Sequence, residues 1–116
     1  MNKKEEHTPV FSVVVVSLNA EKLIRSTLDS VLSQTFEDYE VIVKDGLSTD
    51  GTVNQIPSDD RIRVFVQKDT GIYDAMNQAT SFTRGKYVLY LNCGDVFASS
   101  NVILSANGSP ENTNVC

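Results

Sequence analysis

Asn19, Asp45, Asp69 and Asp95 recur along the chain, each at or just beyond the end of an apolar run. Three carboxylates and one amide gathered on one rim would suit two kinds of chemistry. Carboxylate oxygens coordinate hard divalent cations. They also accept hydrogen bonds from a base or a ribose. The competing reading is local: Asp and Asn are common after strands because they cap helices and shape turns. Asn19 is placed to cap the helix that follows it, and Asp50 has the same capping chemistry. Acids also gather at strand ends in response-regulator-like folds, so the constellation alone leaves the class open.

The elements that would position these residues follow from hydrophobic pattern. Phe11-Ser-Val-Val-Val-Val-Ser17 is a strand with four consecutive valines, which suits burial on both faces of a parallel sheet. Leu23, Ile24, Leu28, Val31 and Leu32 have helical spacing. Thr35 to Asp38 turns the chain, and Tyr39 to Asp45 reads as a second strand. Gly46 to Thr52 is loop chemistry, followed by a short helical turn over Val53 to Ile56. Arg61 to Val66 alternates charged and apolar residues, the pattern of an edge strand. A second helix is expected from about Gly71 to Thr83, with Ile72, Ala75, Met76 and Ala79 on one face and Gly85 ending it. Lys86 to Leu91 is a fourth strand. This β-α-β-(α)-β-α-β order predicts a parallel α/β sheet with helical crossovers. In such sheets, ligands bind beyond the carboxyl ends of the strands, where the strand order reverses.

Composition narrows the function. A net charge of -5 argues against nucleic-acid binding, which needs a basic face. Cys93 and Cys116 form neither a zinc-ligand spacing nor a disulfide framework, so a reducing, cytoplasmic setting is expected. No apolar run approaches the roughly 18–20 residues of a membrane span. His7 lies in a polar leader and is expected to be solvated. Residues 1–9 are expected to be disordered, residues 10–104 to form an incomplete domain, and residues 105–116 to be an irregular tail. A phosphoacceptor signalling domain would need a Lys after a fifth strand, which the pattern does not supply.

Five segments resemble the family 2 glycosyltransferases of GT-A fold, together covering about residues 11–97. They are Ser12 to Asn19, Ser30 to Phe36, Asp45-Gly-Leu-Ser-Thr-Asp-Gly-Thr52, Asp69-Thr-Gly-Ile-Tyr-Asp-Ala-Met-Asn77, and Gly85 to Asp95. The resemblance implies a Rossmann-like sheet of order 3-2-1-4 with helices on both faces. It implies a nucleotide-diphospho-sugar donor held by Ser17, Asn19, Asp45 and Asp69. It places Asp95 on a Mg²⁺ or Mn²⁺ ion that bridges the donor's diphosphate. Asn92 and Gly94 stand at positions that are often acidic in the family, Leu18 where some members carry a Tyr near the base, and Lys44 where many hold a second carboxylate. The acceptor is expected to be a glycan or a lipid-linked acceptor, in polysaccharide or glycoconjugate synthesis at the inner face of a bacterial membrane. The general base is expected outside this chain, so a nucleotide-binding module without transfer activity is the alternative. An open edge at the fourth strand and an uncovered apolar face favour self-association, and a homodimer or higher oligomer is expected. Tyr73, Tyr87 and Tyr90 are expected to pack on the sheet or its rim, Met76 and Cys93 to fill space, and Asp74 to approach the donor or remain on a polar helix face. Asp59, Asp60, Arg61 and Arg63 read as a solvated turn and strand edge.

Overall fold

The computed structural model describes residues 8–93. Asp95, Gly94, the leader through His7 and the tail lie outside the described residues.

Four parallel strands form one sheet in the order β3-β2-β1-β4. They are β1 (Phe11–Ser17), β2 (Tyr39–Asp45), β3 (Ile62–Val66) and β4 (Tyr87–Asn92). Helix α1 (Ile24–Leu32) joins β1 to β2, a 3₁₀ turn (Val53–Gln55) precedes β3, and α2 (Ile72–Thr80) leads to β4. The valine run of β1 has its cause here. Val13 and Val15 pack on one face with Ile24, Leu28 and Val31 of α1. Val14 and Val16 pack on the other with Ala75 and Ala79 of α2. A central strand covered on both faces needs apolar residues at consecutive positions. β3 is an outer strand, and its exposed Val64 and Val66 alternate with half-buried neighbours, as its charge pattern implied.

Register places the strand ends side by side. Ser17 pairs with Asp45, and Val16 with both Lys44 and Asn92. After β1 the chain builds outward through β2 to β3, and α2 then returns it to the far side of β1. Strand order therefore reverses between β1 and β4.

Several local expectations are corrected. Asn19 does not cap α1. Its φ of 51° turns the chain off β1 in the left-handed region that Asn tolerates, and the helix begins only at Ile24. Leu23 faces outward, with 49% of its surface exposed. Gly85 does not end α2. The helix stops at Thr80, where Phe82 N–H bonds to Ala79 C=O and Thr83 N–H to Thr80 C=O in a tightened last turn. Gly85 is required by crowding instead: a Cβ there would lie 2.6 Å from the backbone of Phe11 and Ser12. Tyr73 does not pack on the rim, being 80% exposed. Tyr87 and Tyr90 do pack against the two cores, as does Met76. Arg63 is not a solvated edge charge, since it bonds to the buried carboxylate of Glu40 at 2.9 Å.

Candidate active site at the strand-order reversal

The β1–α1 turn and the segment from Asp45 to Thr52 are joined by reciprocal hydrogen bonds. Three successive backbone N–H groups at the exit of β1 find side-chain acceptors: Asn19 on Ser48 Oγ at 2.8 Å, Ala20 on Thr52 Oγ1 at 2.8 Å, and Glu21 on Asp50 Oδ2 at 3.3 Å. In return, Asn19 Oδ1 accepts the Thr49 N–H at 2.8 Å, and Glu21 Oε1 accepts the Gly51 N–H at 3.2 Å. The Ser-Thr-Asp-Gly-Thr run is thus a latch. It satisfies backbone donors of the turn that precedes α1, with acceptors from another loop. Thr52 donates to Asp50, and this bond is the main reason that the Asp50 carboxyl is held below its ordinary value.

Asp45 forms the base of the latch. It is fully buried, and its carboxylate accepts from Ser17 Oγ at 2.8 Å, Ser48 N–H at 2.8 Å and Ser48 Oγ at 2.6 Å. Asp69 follows β3. It pairs with Lys44 Nζ at 3.0 Å and accepts the Gly71 N–H at 3.2 Å. Asp74, in the first turn of α2, accepts from Thr70 N–H at 2.9 Å and Gln78 Nε2 at 3.1 Å. These bonds tie Asp74 to the segment entering α2 and to the next turn of the same helix.

A cleft of about 380 Å³ opens where strand order reverses. Its walls include Ser17, Leu18 and Asn19 beyond β1, Asp69, Gly71, Ile72 and Ala75 from the entry to α2, and Asn92 and Cys93 at the end of β4. The structure thus brings Ser17, Asn19 and Asp69 to one cavity. Asp45 stands behind Ser17 and does not line the cavity. Asp95 lies outside the described residues. Among the described residues, Asn92 Oδ1 is buried without a hydrogen-bond partner. The Cys93 thiol is pushed up to about 11, by burial first and by the Asp45 charge second, so it is protonated at neutral pH. Among the described residues no group of three or more His, Cys, Asp or Glu side chains could hold a metal ion, and no helix is long and apolar enough to cross a membrane.

Sequence reasoning missed Lys44 as a member of this site. A signal was present: a lysine directly after the apolar Val41-Ile-Val43 run of a central strand must find a partner if it is buried. It also missed the apolar wall formed by Leu23 and Ile72, both about half exposed at the cleft.

A doubly wound parallel sheet with a cleft at its reversal point defines a Rossmann-like α/β domain, an architecture whose ligands bind at that point. The model of glycosyl transferase family 2 matches residues 12–113, and the chain belongs to that family. It is 35% identical over 92 residues to a PGL/p-HBAD biosynthesis glycosyltransferase of Mycobacterium bovis, a match spanning 75% of this chain and 36% of the relative. It is 36% identical over 92 residues to the putative teichuronic acid biosynthesis glycosyltransferase TuaG of Bacillus subtilis, with the same coverage. The chain therefore spans about a third of the length of these curated relatives. Among solved structures it is similar to S. aureus TarS 1-349 in complex with UDP, at 26% identity and TM-score 0.72, covering 87% of this chain and 32% of that one. The mannosyltransferase PcManGT of Pyrobaculum calidifontis, solved with GDP-Man and Mn²⁺, shares the fold with TM-score 0.79 at 24% identity, covering 87% of this chain and 32% of that one. The GT-A fold inferred from the five motifs is the fold observed.

Proposed function

We propose that this chain supplies the donor-binding half of a glycosyltransferase. A nucleotide-diphospho-sugar occupies the cleft between β1 and β4, for transfer to a glycan or lipid-linked acceptor in cell-envelope polysaccharide synthesis. The observation that carries this reading is the convergence of Ser17, Asn19 and Asp69 on one cavity at the reversal point. A UDP-bound relative of the same fold supports it.

The residues divide the work. Asp69 presents a fixed carboxylate to N–H or O–H donors of the nucleoside. Leu18, Leu23 and Ile72 give an apolar wall for a planar base, which draws on aromatic and apolar contact rather than charge. Asp45 acts behind this wall, holding Ser17 and the latch in place. Departure of a nucleoside diphosphate builds negative charge, and a divalent cation, when bound, would neutralise it. The donor set near the end of β4 fits a hard cation: Asn92 Oδ1 is an oxygen ligand that is buried and unsatisfied among the described residues, and Asp95 follows closely in sequence. We assign Asp95 as the metal carboxylate, with Mg²⁺ or Mn²⁺ as its ion.

Asp69, which lines the cleft, is already engaged by Lys44, and Asp45 behind it by Ser17 and Ser48. Neither suits the general base that must take a proton from the acceptor. Titration calorimetry of UDP against the chain, with and without Mn²⁺, tests the proposal on wild type and Asp95→Ala. Metal-dependent binding that is lost in the variant is the expected result. Failure to bind UDP, GDP and dTDP would overturn it.

A further inference from the structure

Lys44 is fully buried at the penultimate position of β2, where an apolar residue would satisfy the core. Its ammonium has three N–H donors and meets three acceptors: Asp45 C=O at 3.3 Å, Gln67 C=O, and Asp69 Oδ2 at 3.0 Å. Burying a cation is unfavourable unless it is paired and fully hydrogen-bonded, and a whole buried ion pair can often be replaced by apolar residues of similar volume without loss of stability. The fold alone therefore does not require a Lys44–Asp69 pair here. The one side-chain partner of Lys44 supplies a reason, because Asp69 reaches the cleft.

Asp69 is held from three directions. Lys44 Nζ takes Oδ2, and the Gly71 N–H takes Oδ1 at 3.2 Å. The carboxylate also lies over Gly46 so closely that a Cβ there would come within 2.8 Å of Oδ2. Only 10% of the Asp69 side chain is exposed. An acceptor fixed in this way meets a ligand donor without losing rotamer freedom on binding, which is where preorganisation gains affinity.

We propose that Lys44 is a positioning residue: it fixes the Asp69 carboxylate as a rigid acceptor in the cleft, and ligand affinity depends on it through that carboxylate. The inference rests on the donor-site reading above. Lys44→Met conserves volume and removes the clamp. UDP affinity of the folded fraction falls roughly tenfold or more, and the thermal midpoint falls as well, because the Asp69 carboxylate and two carbonyls lose their donor. The Lys44→Met change has no further effect on affinity once Asp69 is alanine, because the lysine acts through that carboxylate. Gly46→Ala, which pushes Asp69 from the other side, weakens UDP binding with Lys44 intact.

The carboxyl carbon resonance of Asp69 gives a readout that needs no nucleotide: one sharp line in wild type, displaced or broadened in Lys44→Met. Unchanged UDP affinity in Lys44→Met, or purely additive losses in the double variant, would overturn the proposal. Should wild type bind none of UDP, GDP and dTDP, the donor-site reading fails. The clamp is then decided by the resonance alone, and an unmoved Asp69 line in Lys44→Met sinks it.

Discussion

Glu40 and Lys44 sit near opposite ends of β2, on the same face as Ile42, and both are buried. Their surroundings differ in one respect. Glu40 accepts from Ser12 Oγ at 2.5 Å, Arg84 N–H at 2.6 Å, Arg84 Nε at 3.0 Å and Arg63 at 2.9 Å. Ser12 Oγ in turn accepts the Gly85 N–H at 2.7 Å, which pins the approach to β4 over the start of β1. That network closes on the scaffold. The Lys44 network ends on Asp69, whose carboxylate borders the cleft. Two buried charges of opposite sign on one strand thus serve different purposes, and the difference lies in where their partners point. A buried charge whose every partner is scaffold reports on fold. One whose partner borders a cavity reports on function.

The largest effect expected is at the closed end. Glu40→Ala leaves two arginines and the Ser12 hydroxyl without their acceptor, and costs about 3 kcal/mol in urea unfolding. UDP affinity of the folded fraction is unchanged. Equal losses of stability and affinity would break the division between the two ends. The same carboxylate sets an acid limit. Burial works to raise its pKa, but the Ser12 hydroxyl, the Arg84 backbone N–H and the Arg63 guanidinium outweigh that and hold it below the ordinary value. Glu40 therefore stabilises the fold fully above the pKa it has when unfolded. That contribution is lost as pH falls through the lower, folded value. In Glu40→Ala this part of the acid dependence disappears.

An intermediate effect is expected at the latch, which joins scaffold to site. Thr52 is fully buried, and its hydroxyl accepts the Ala20 N–H at 2.8 Å while donating to Asp50. Thr52→Val keeps the shape and orphans the Ala20 N–H, at a cost of about 1–2 kcal/mol in chemical denaturation. Asn19 and Ala20 line the cleft, so UDP binding weakens several-fold as well. A variant that lost stability alone would place the latch with the closed end.

The same contrast explains what could be read before the structure. The sheet and its order were legible because they rest on pattern: the valine run that needs two covered faces, the alternation that marks β3 as an outer strand, and motifs that fix the topology by resemblance. The cleft was legible in outline, since Ser17, Asn19 and Asp69 follow strands whose ends must converge. The roles within it were less so. Asp45 and Asp69 look alike in the sequence, yet one is enclosed by serines and the other borders the cavity. That distinction depends on the turn after Asn19 and on Lys44, and both are tertiary. Gly85 was legible as a constrained position, but the constraint is contact with the β1 backbone rather than a helix end. Long-range neighbours of this kind leave no periodic trace.

Cys93 offers the finest test of the open end. It packs against the α1-side core at the end of β4, and it borders the cleft. Burial and the neighbouring Asp45 charge raise its thiol from 9.0 to about 11. At pH 8 its thiolate fraction, and with it the rate of alkylation by iodoacetamide, is about two orders of magnitude below that of a free peptide thiol. Mass mapping of the Cys93 peptide over time measures this. Asp45→Asn removes the smaller of the two causes, so the rate rises modestly and stays well below the free-thiol rate. A rate near that of the free peptide would mean that the end of β4 opens readily to solvent. The site would then be assembled by its ligand rather than held ready by Lys44 and the latch.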